Sequence, residues 1–165
     1  MESLVIRDAK ESDMQAVLAI YNYYVAASSA TFDLSPQTEA ERNSWYKQHI
    51  ENDLPVYVAE KAGQILGFAG LSFYHSRCGY RQTVEPCIYI DQSACGSGVG
   101  KQLMKRLMTA AQEKGYHAIV ALVCSENHSS IGLAKSFGFE QVGQLKEVGR
   151  KFDRWLDVTL LQKVL

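Results

Sequence analysis

Cys95-Gly96-Ser97-Gly98-Val99-Gly100 is the stretch on which the fold turns. Glycines at alternate positions let the backbone bend tightly and leave its N–H groups uncovered by side chains. The apolar run Thr83–Ile90 precedes the cluster, and Val99, Leu103, Leu107, Ala110 and Ala111 follow at helical spacing. A glycine turn leading from a strand into a helix gathers free N–H groups at the positive end of the helix dipole, which suits a diphosphate. The plainer reading is a tight turn with no ligand, but such a turn rarely needs three glycines so closely set. Two nucleotide motifs fit poorly. A P-loop requires Gly-x-x-x-x-Gly-Lys and then Ser or Thr. Here Cys95 holds the first glycine position and Gln102 follows Gly100-Lys101, so the hydroxyl that would hold magnesium is missing. A dinucleotide fingerprint is Gly-x-Gly-x-x-Gly at the opening of a βαβ run, whereas Gly96-x-Gly98-x-Gly100 lies past the middle of the chain, after antiparallel strands.

Upstream of the loop the pattern is one of hairpins. Val56–Lys61 and Gln64–Phe73 are apolar, partly β-branched runs separated by Ala62-Gly63, and a polar loop at 74–82 leads into the strand before the glycines. Residues 4–7 read as a first strand. Ser12 or Asp13 then caps a helix whose apolar face is Met14, Val17, Leu18, Tyr21 and Val25. A second helix is expected from about Thr38, with Trp45 and Tyr46 facing inward. Downstream, Gly115 ends the long helix. A compact strand follows at 118–123, a helix at 127–137 stopped by Gly138, and two strands near 140–147 and 155–162. There is no internal repeat, low-complexity tract or linker. This order predicts an α/β fold: one mixed, mostly antiparallel sheet flanked by helices. A length of 165 residues suits a single domain, 1–165.

Composition narrows the function classes. With 47% hydrophobic and 21% charged residues, the chain can bury a core and is not expected to be disordered. Seventeen Lys plus Arg against eighteen Asp plus Glu leave a formal charge of −1. No long-range field then gathers nucleic acid or an anionic membrane, and neither partner is expected. No apolar stretch is long enough to span a bilayer, and residues 1–10 lack the features of a signal peptide. Cys78, Cys87, Cys95 and Cys124 form no Cys-x-x-Cys pair, and no histidine stands at metal-ligand spacing. Free thiols in a reducing cytoplasm, without a metal, are the expectation.

The context of the glycine loop resembles the GCN5-related N-acetyltransferase (GNAT) superfamily. There, a strand, a Gln/Arg-x-x-Gly-x-Gly/Ala loop and a helix grip the pyrophosphate of acetyl-coenzyme A. Gly98 and Gly100 match the two required glycines, and Cys95 replaces the usual first residue. A closer resemblance is to the phosphinothricin and methionine sulfone/sulfoximine N-acetyltransferase branch. It is carried by Ile20-Tyr21-Asn22, Ala30-Thr31-Phe32, Tyr80-Arg81-x-Thr83-Val84-Glu85, Tyr89, Asn127, Gly138-Phe139 and Val148-Gly149-x-Lys151-Phe152-x-Arg154-Trp155-x-Asp157. The branch often has a histidine in the helix after Asn127, where this chain has Ala134.

The resemblance implies acetyl transfer from acetyl-CoA, as cosubstrate, to the amine of a small amino-acid-like acceptor. The attack would be direct, with Glu85 as the base that takes the ammonium proton. Ile88, Tyr89 and Ile90 would bond the pantetheine arm through their backbone, though Ile88 and Ile90 also suit core packing. Gly96, Ser97, Gly98, Val99, Gly100 and Lys101 would hold the diphosphate. Asn127 would cap its helix or bond the pantetheine arm, and Ser136 is a further cofactor contact. His75, Ser76, Arg77, Arg81, Pro86 and Cys87 fall where the family binds substrate, and Arg77 or Arg81 could pair with a carboxylate. Cys87 shares a strand face with Glu85, but no histidine adjoins it in sequence to make a thiolate. A homodimer is expected, with Tyr116, His117 and the aromatic first helix serving as packing or as a dimer surface. Lys151 and Arg154 could assist from a second subunit. Two alternatives remain open: another amine acceptor (peptide N-terminus, polyamine or aminoglycoside), or a non-catalytic acyl-CoA sensor, which needs the glycine loop but not Glu85.

Overall fold

A computed structural model describes residues 3–165. Seven strands, β1 (Val5–Asp8), β2 (Val56–Lys61), β3 (Gln64–Phe73), β4 (Thr83–Ile90), β5 (Ala118–Cys124), β6 (Glu140–Lys151) and β7 (Arg154–Val164), form one sheet in the order β1-β2-β3-β4-β5-β7-β6. All neighbours are antiparallel except β4 and β5. Helices α1 (Met14–Ala27), α2 (Glu39–Glu51), α3 (Val99–Glu113) and α4 (His128–Ser136) cover the faces. The mixed, mostly antiparallel sheet flanked by helices is the architecture expected from the sequence.

Side-chain alternation divides the core between the two faces. Val56, Val58 and Phe68 pack with α1 residues Met14, Val17, Ile20, Tyr21 and Val25. Tyr57, Ala59, Ala69 and Leu71 point the other way, onto Leu103, Leu107 and Ala111 of α3. Ile20 takes the fully buried place expected of Leu18. Asp13 precedes α1 but makes no side-chain cap. Its carboxylate instead takes both ends of the Arg7 guanidinium, at 2.7 and 2.9 Å, and the Lys10 N–H at 2.7 Å. That pairing holds the Asp13 carboxyl below the usual carboxylate range.

Two departures matter for the site. On α2 the buried residues are Arg42 and His49, with Trp45 and Tyr46 only part-buried beside them. The C-terminal strands run further than expected, because Phe152 and Asp153, both at positive φ, make a two-residue turn that prolongs the hairpin. The hairpin lies against the segment after α1. A Cβ on Gly149 would stand 2.1 Å from the Phe32 ring, so only glycine fits there.

Candidate active site

The site begins where two strands part. β4 pairs with β5 only at Thr83 and Val84, and from Glu85 onward that edge of β4 has no ladder partner. Its other edge stays paired with β3 as far as Ile90. An open strand edge offers N–H and C=O groups to an amide-bearing ligand, as it would to an added strand. The groove beside it is walled by Ile88, Tyr89, Met104, Ala121, Val123, Asn127, Leu133 and Ala134. It continues past Tyr24 and Ile90 to Cys95, Gly96, Gly98, Val99, Gly100 and Lys101.

The loop at the far end has the geometry of an anion cradle. Gly98 is the N-cap of α3 at φ 85°, and Gly96 lies at φ 77°, both in the left-handed region that favours glycine. A Cβ at either position would meet nothing within 4 Å, so the space over the loop is open. The first helical bond runs from Gln102 N to Gly98 O at 3.2 Å. The N–H groups of Val99, Gly100 and Lys101 precede it without helical partners. These donors, the helix dipole and the Lys101 ammonium fit the diphosphate of a CoA thioester. Ser97 turns its hydroxyl back onto the Ala94 carbonyl and does not line the groove.

Residues along the groove hold its shape. The Tyr24 hydroxyl donates to the Ile90 carbonyl at 2.6 Å, tying α1 to the end of β4, so that carbonyl already has one partner. Asn127 is the cap expected of it, with Oδ1 accepting from Ser130 N at 3.2 Å and from the Ser129 hydroxyl at 3.0 Å. It also lines both parts of the groove. Ser136 lies outside the lining and donates to the Leu133 carbonyl at 2.7 Å. Ala134 is buried in the groove wall and brings no acid there.

A second cleft opens on the opposite side of β4, among Tyr21, Gln37, Arg42, Trp45, Phe68 and Ser72. Glu85, Pro86, Cys87 and Tyr89 line it as well as the groove, so Glu85 stands where the two spaces meet. Burial raises the Glu85 carboxyl above its ordinary pKa, which makes it a stronger base than a solvated glutamate. Burial also pushes the Cys87 thiol up to about 11, against a partial opposing pull from Arg42. Cys87 is therefore a neutral thiol near pH 7 and a poor nucleophile.

One polar chain in this cleft has its protons assigned by its partners. His49 Nδ1 lies 2.8 Å from the Trp45 carbonyl, and Nε2 lies 3.0 Å from Ser72 Oγ. A carbonyl only accepts, so Nδ1 carries the proton and Nε2 accepts from the Ser72 hydroxyl. Burial lowers the His49 pKa and keeps the ring neutral. Ser72 is the cross-strand partner of Glu85. With its own proton committed to His49, its oxygen can only accept from a donor in the cleft.

The loop residues expected at the substrate lie elsewhere. His75, Ser76, Arg77 and Arg81 are exposed on the β3–β4 connection, and none lines either cleft. His75 accepts from Arg77 N at 3.2 Å, and the Arg81 guanidinium lies 4.7 Å over the Phe73 ring. Lys151 is buried and donates to the Thr31 carbonyl at 2.8 Å, while Arg154 pairs with Glu126 at 3.0 Å. Among the described residues no cluster of His, Cys, Asp and Glu could hold a metal ion.

Residues 6–160 match the family model described as Acetyltransferase (GNAT) domain. The chain belongs to the GNAT acetyltransferase family. This GNAT chain is 39% identical over 161 residues to an L-methionine sulfoximine/L-methionine sulfone acetyltransferase of Pseudomonas aeruginosa, covering 97% of the chain and 94% of that protein. It superposes at a TM-score of 0.96 on a phosphinothricin acetyltransferase of Sinorhizobium meliloti solved in complex with AcCoA. The two are 33% identical, and the match covers 98% of this chain and 88% of that one. A ribosomal-protein-alanine N-acetyltransferase of Brucella melitensis also superposes at 0.96, with 37% identity over 98% of this chain and 99% of that one. As a GNAT domain the protein is an acetyl-CoA-dependent N-acetyltransferase.

Several residues that line or adjoin the two clefts are not singled out by a reading of the sequence. Tyr24 belongs to the aromatic first helix, expected to serve packing or a dimer surface, and Arg42 and His49 are given no role there. The available signal was the spacing of Arg42, Trp45 and His49, which puts all three on one face of a helix. Ser72 follows from the hairpin register once Glu85 is singled out.

Proposed function

We propose that this GNAT domain, spanning 1–165, acetylates the α-amine of a small amino acid of the methionine sulfone, methionine sulfoximine or phosphinothricin type. The observation that carries the reading is the position of Glu85, in the one strand segment shared by the acetyl-donor groove and the second cleft. A thioester laid along the open edge of β4 would bring its carbonyl to this strand, and an amine in the second cleft would approach from the other side. Glu85 takes a proton from the ammonium. The freed nitrogen lone pair forms the C–N bond as the C–S bond breaks, and the second proton lost from that nitrogen goes to the departing thiolate, which leaves as free CoA. The raised pKa of Cys87 disfavours an acyl-cysteine route.

The reading draws its acceptor class from the relatives named for methionine sulfoximine and phosphinothricin, and from the small, aromatic-walled second cleft. The relative named for ribosomal-protein alanine makes a peptide N-terminus the chief alternative. A thiol-release assay with acetyl-CoA and a panel of amines tests this directly. Methionine sulfone, methionine sulfoximine or phosphinothricin should be turned over in preference to peptides, polyamines and aminoglycosides. Preference for a peptide would overturn the acceptor class, and no thiol release with any amine would favour an acyl-CoA sensor. The protein is further proposed to act in the cytoplasm as a homodimer. The exposed Val142, Leu145, Val148, Phe152 and Trp155 of the β6–β7 hairpin support the dimer. No helix among the described residues is long and apolar enough to cross a membrane. Sedimentation of the purified protein as a monomer at micromolar concentration would remove the dimer from this reading.

A further inference from the structure

Arg42 is a buried cation without an anion. Its side chain projects from α2 into the second cleft, and the residue is 2% exposed. Its guanidinium lies 4.4 Å from the centre of the Tyr21 ring and 4.7 Å from that of Trp45, with Phe68 at 5.7 Å. Of its five N–H donors, one hydrogen bond is made within the chain, from Nη2 to the neutral Gln37 Oε1 at 2.6 Å. Nε is buried with no partner, the sole buried side-chain nitrogen or oxygen among the described residues in that position. Among the described residues no carboxylate lies within 4 Å of the guanidinium. The nearest acid to consider is Asp33, and its carboxylate is already engaged by the Tyr21 hydroxyl at 2.6 Å and by Gln37 Nε2 at 3.2 Å. Aromatic faces offset part of the cost of burying a cation, but a charge with an unmade hydrogen bond remains destabilising unless a partner arrives.

We propose that Arg42 is the receptor for the acceptor's α-carboxylate, completing its hydrogen bonding only when the amino acid is bound. This rests on the proposed function and names the residue that would make a free carboxylate obligatory. Arg42, Glu85 and Cys87 line the same cleft, with Cys87 two residues along β4 from Glu85. An α-amino acid separates its ammonium and carboxylate by two bonded carbons. An amino acid held in that cleft can give its amine to Glu85 and its carboxylate to Arg42, with a hydrogen bond of about 2.8 Å at each end. A guanidinium also suits a carboxylate through its planar fork, which a lysine would not reproduce.

The test compares methionine sulfone with its decarboxylated amine in steady-state kinetics, using the wild type, Arg42→Gln and Arg42→Lys. The wild type should prefer the free acid in kcat/KM by on the order of 10²-fold, the loss expected when a buried charged donor goes unpaired. Arg42→Gln should abolish that preference by raising KM for the acid far more than for the decarboxylated amine, with the affinity for acetyl-CoA retained. Arg42→Lys should restore it in part. If Arg42→Gln discriminates as sharply as the wild type, the carboxylate is read elsewhere and this inference is wrong while the function stands. If the wild type turns over neither compound, the function falls and the inference with it. Should the variants fail to fold, the wild type still decides the matter. The Arg42 Nε–H resonance should move on adding the acid and stay still with the decarboxylated amine, and no movement with the acid would overturn the proposal.

Discussion

α3 and α2 flank the reacting strand from opposite faces of the sheet, and their buried stripes differ in kind. Val99, Leu103, Leu107, Ala110 and Ala111 make the stripe of α3 wholly apolar, and what it offers the groove is backbone N–H groups at its start. The buried side of α2 is Arg42 and His49 with Trp45 between them, and Arg42 and Trp45 line the second cleft with their side chains. Apolar burial holds α3 in place at about 25 cal/mol per Å². α2 relies instead on a reciprocal cap between Thr38 and Glu41, on aromatic contacts to Arg42 and on the His49 hydrogen bonds. The lesson is that a diphosphate common to every CoA ester can be held by backbone. Discriminating one amine from another requires side chains, and those side chains make their helix a poor hydrophobic element.

The sharpest way to break this division is at the donor end. Gly98→Asp should abolish acetyl-CoA binding by calorimetry, because its carboxylate would enter the open space over the loop. Holding a non-glycine residue at that φ costs about 1–2 kcal/mol, so the fold should survive. Retained affinity would mean that the α3 terminus does not hold the diphosphate.

Next in size is the shared strand. Glu85→Gln should lower kcat by about 10²- to 10⁴-fold with acetyl-CoA affinity unaltered. Wild-type kcat/KM should fall as pH drops through the raised Glu85 pKa, and the variant should lack that limb. Stability should move in the opposite sense. A carboxyl whose folded pKa is raised above 4.5 contributes stability below that value and loses it as pH rises through the folded pKa. Glu85→Gln should therefore melt higher than the wild type at neutral pH and no higher in acid. Equal melting at both pH values would make Glu85 a solvated residue.

The acceptor side should respond more gently. Ser72→Ala should raise KM for the amine about tenfold, the worth of one hydrogen bond, and leave acetyl-CoA affinity alone. His49 carries its own pH signature. Its folded pKa is lowered below 6.5, so its contribution to stability is present above that value and lost as pH falls through the folded pKa. Urea titrations at neutral and mildly acid pH should show a drop in the wild type that His49→Gln reduces. Smallest of all, Thr38→Ala removes the cap of α2 and should cost about 1 kcal/mol, or about 2–4 °C in Tm. If it weakened acetyl-CoA binding as much as amine binding, the two sides would not be separable.

What could be read from the chain follows the same line. The hairpin Val56–Lys61 with Gln64–Phe73, the strand ending at Ile90 and the helix opened by Gly98 all lie where periodicity and turn residues put them. Glu85, Pro86, Cys87, Ile88, Tyr89 and the glycine loop come together around one groove. The resemblance places His75, Ser76, Arg77 and Arg81 where the family binds substrate, and in the structure they are exposed and line neither cleft.

By itself the sequence determined the order of elements, the glycine turn that opens α3 and the carboxylate on β4. These depend on local rules: glycine's tolerance of positive φ, the alternation of a strand and the apolar stripe of one helix. Only the tertiary structure decided that β4 parts from β5 after Val84, that Ser72 lies opposite Glu85, and that Arg42 is buried without a counter-ion. Burial is a property of what packs around a residue. An arginine on a polar helix looks solvated until two aromatic rings and a strand close over it, and then its missing partner becomes the most specific feature of the cleft.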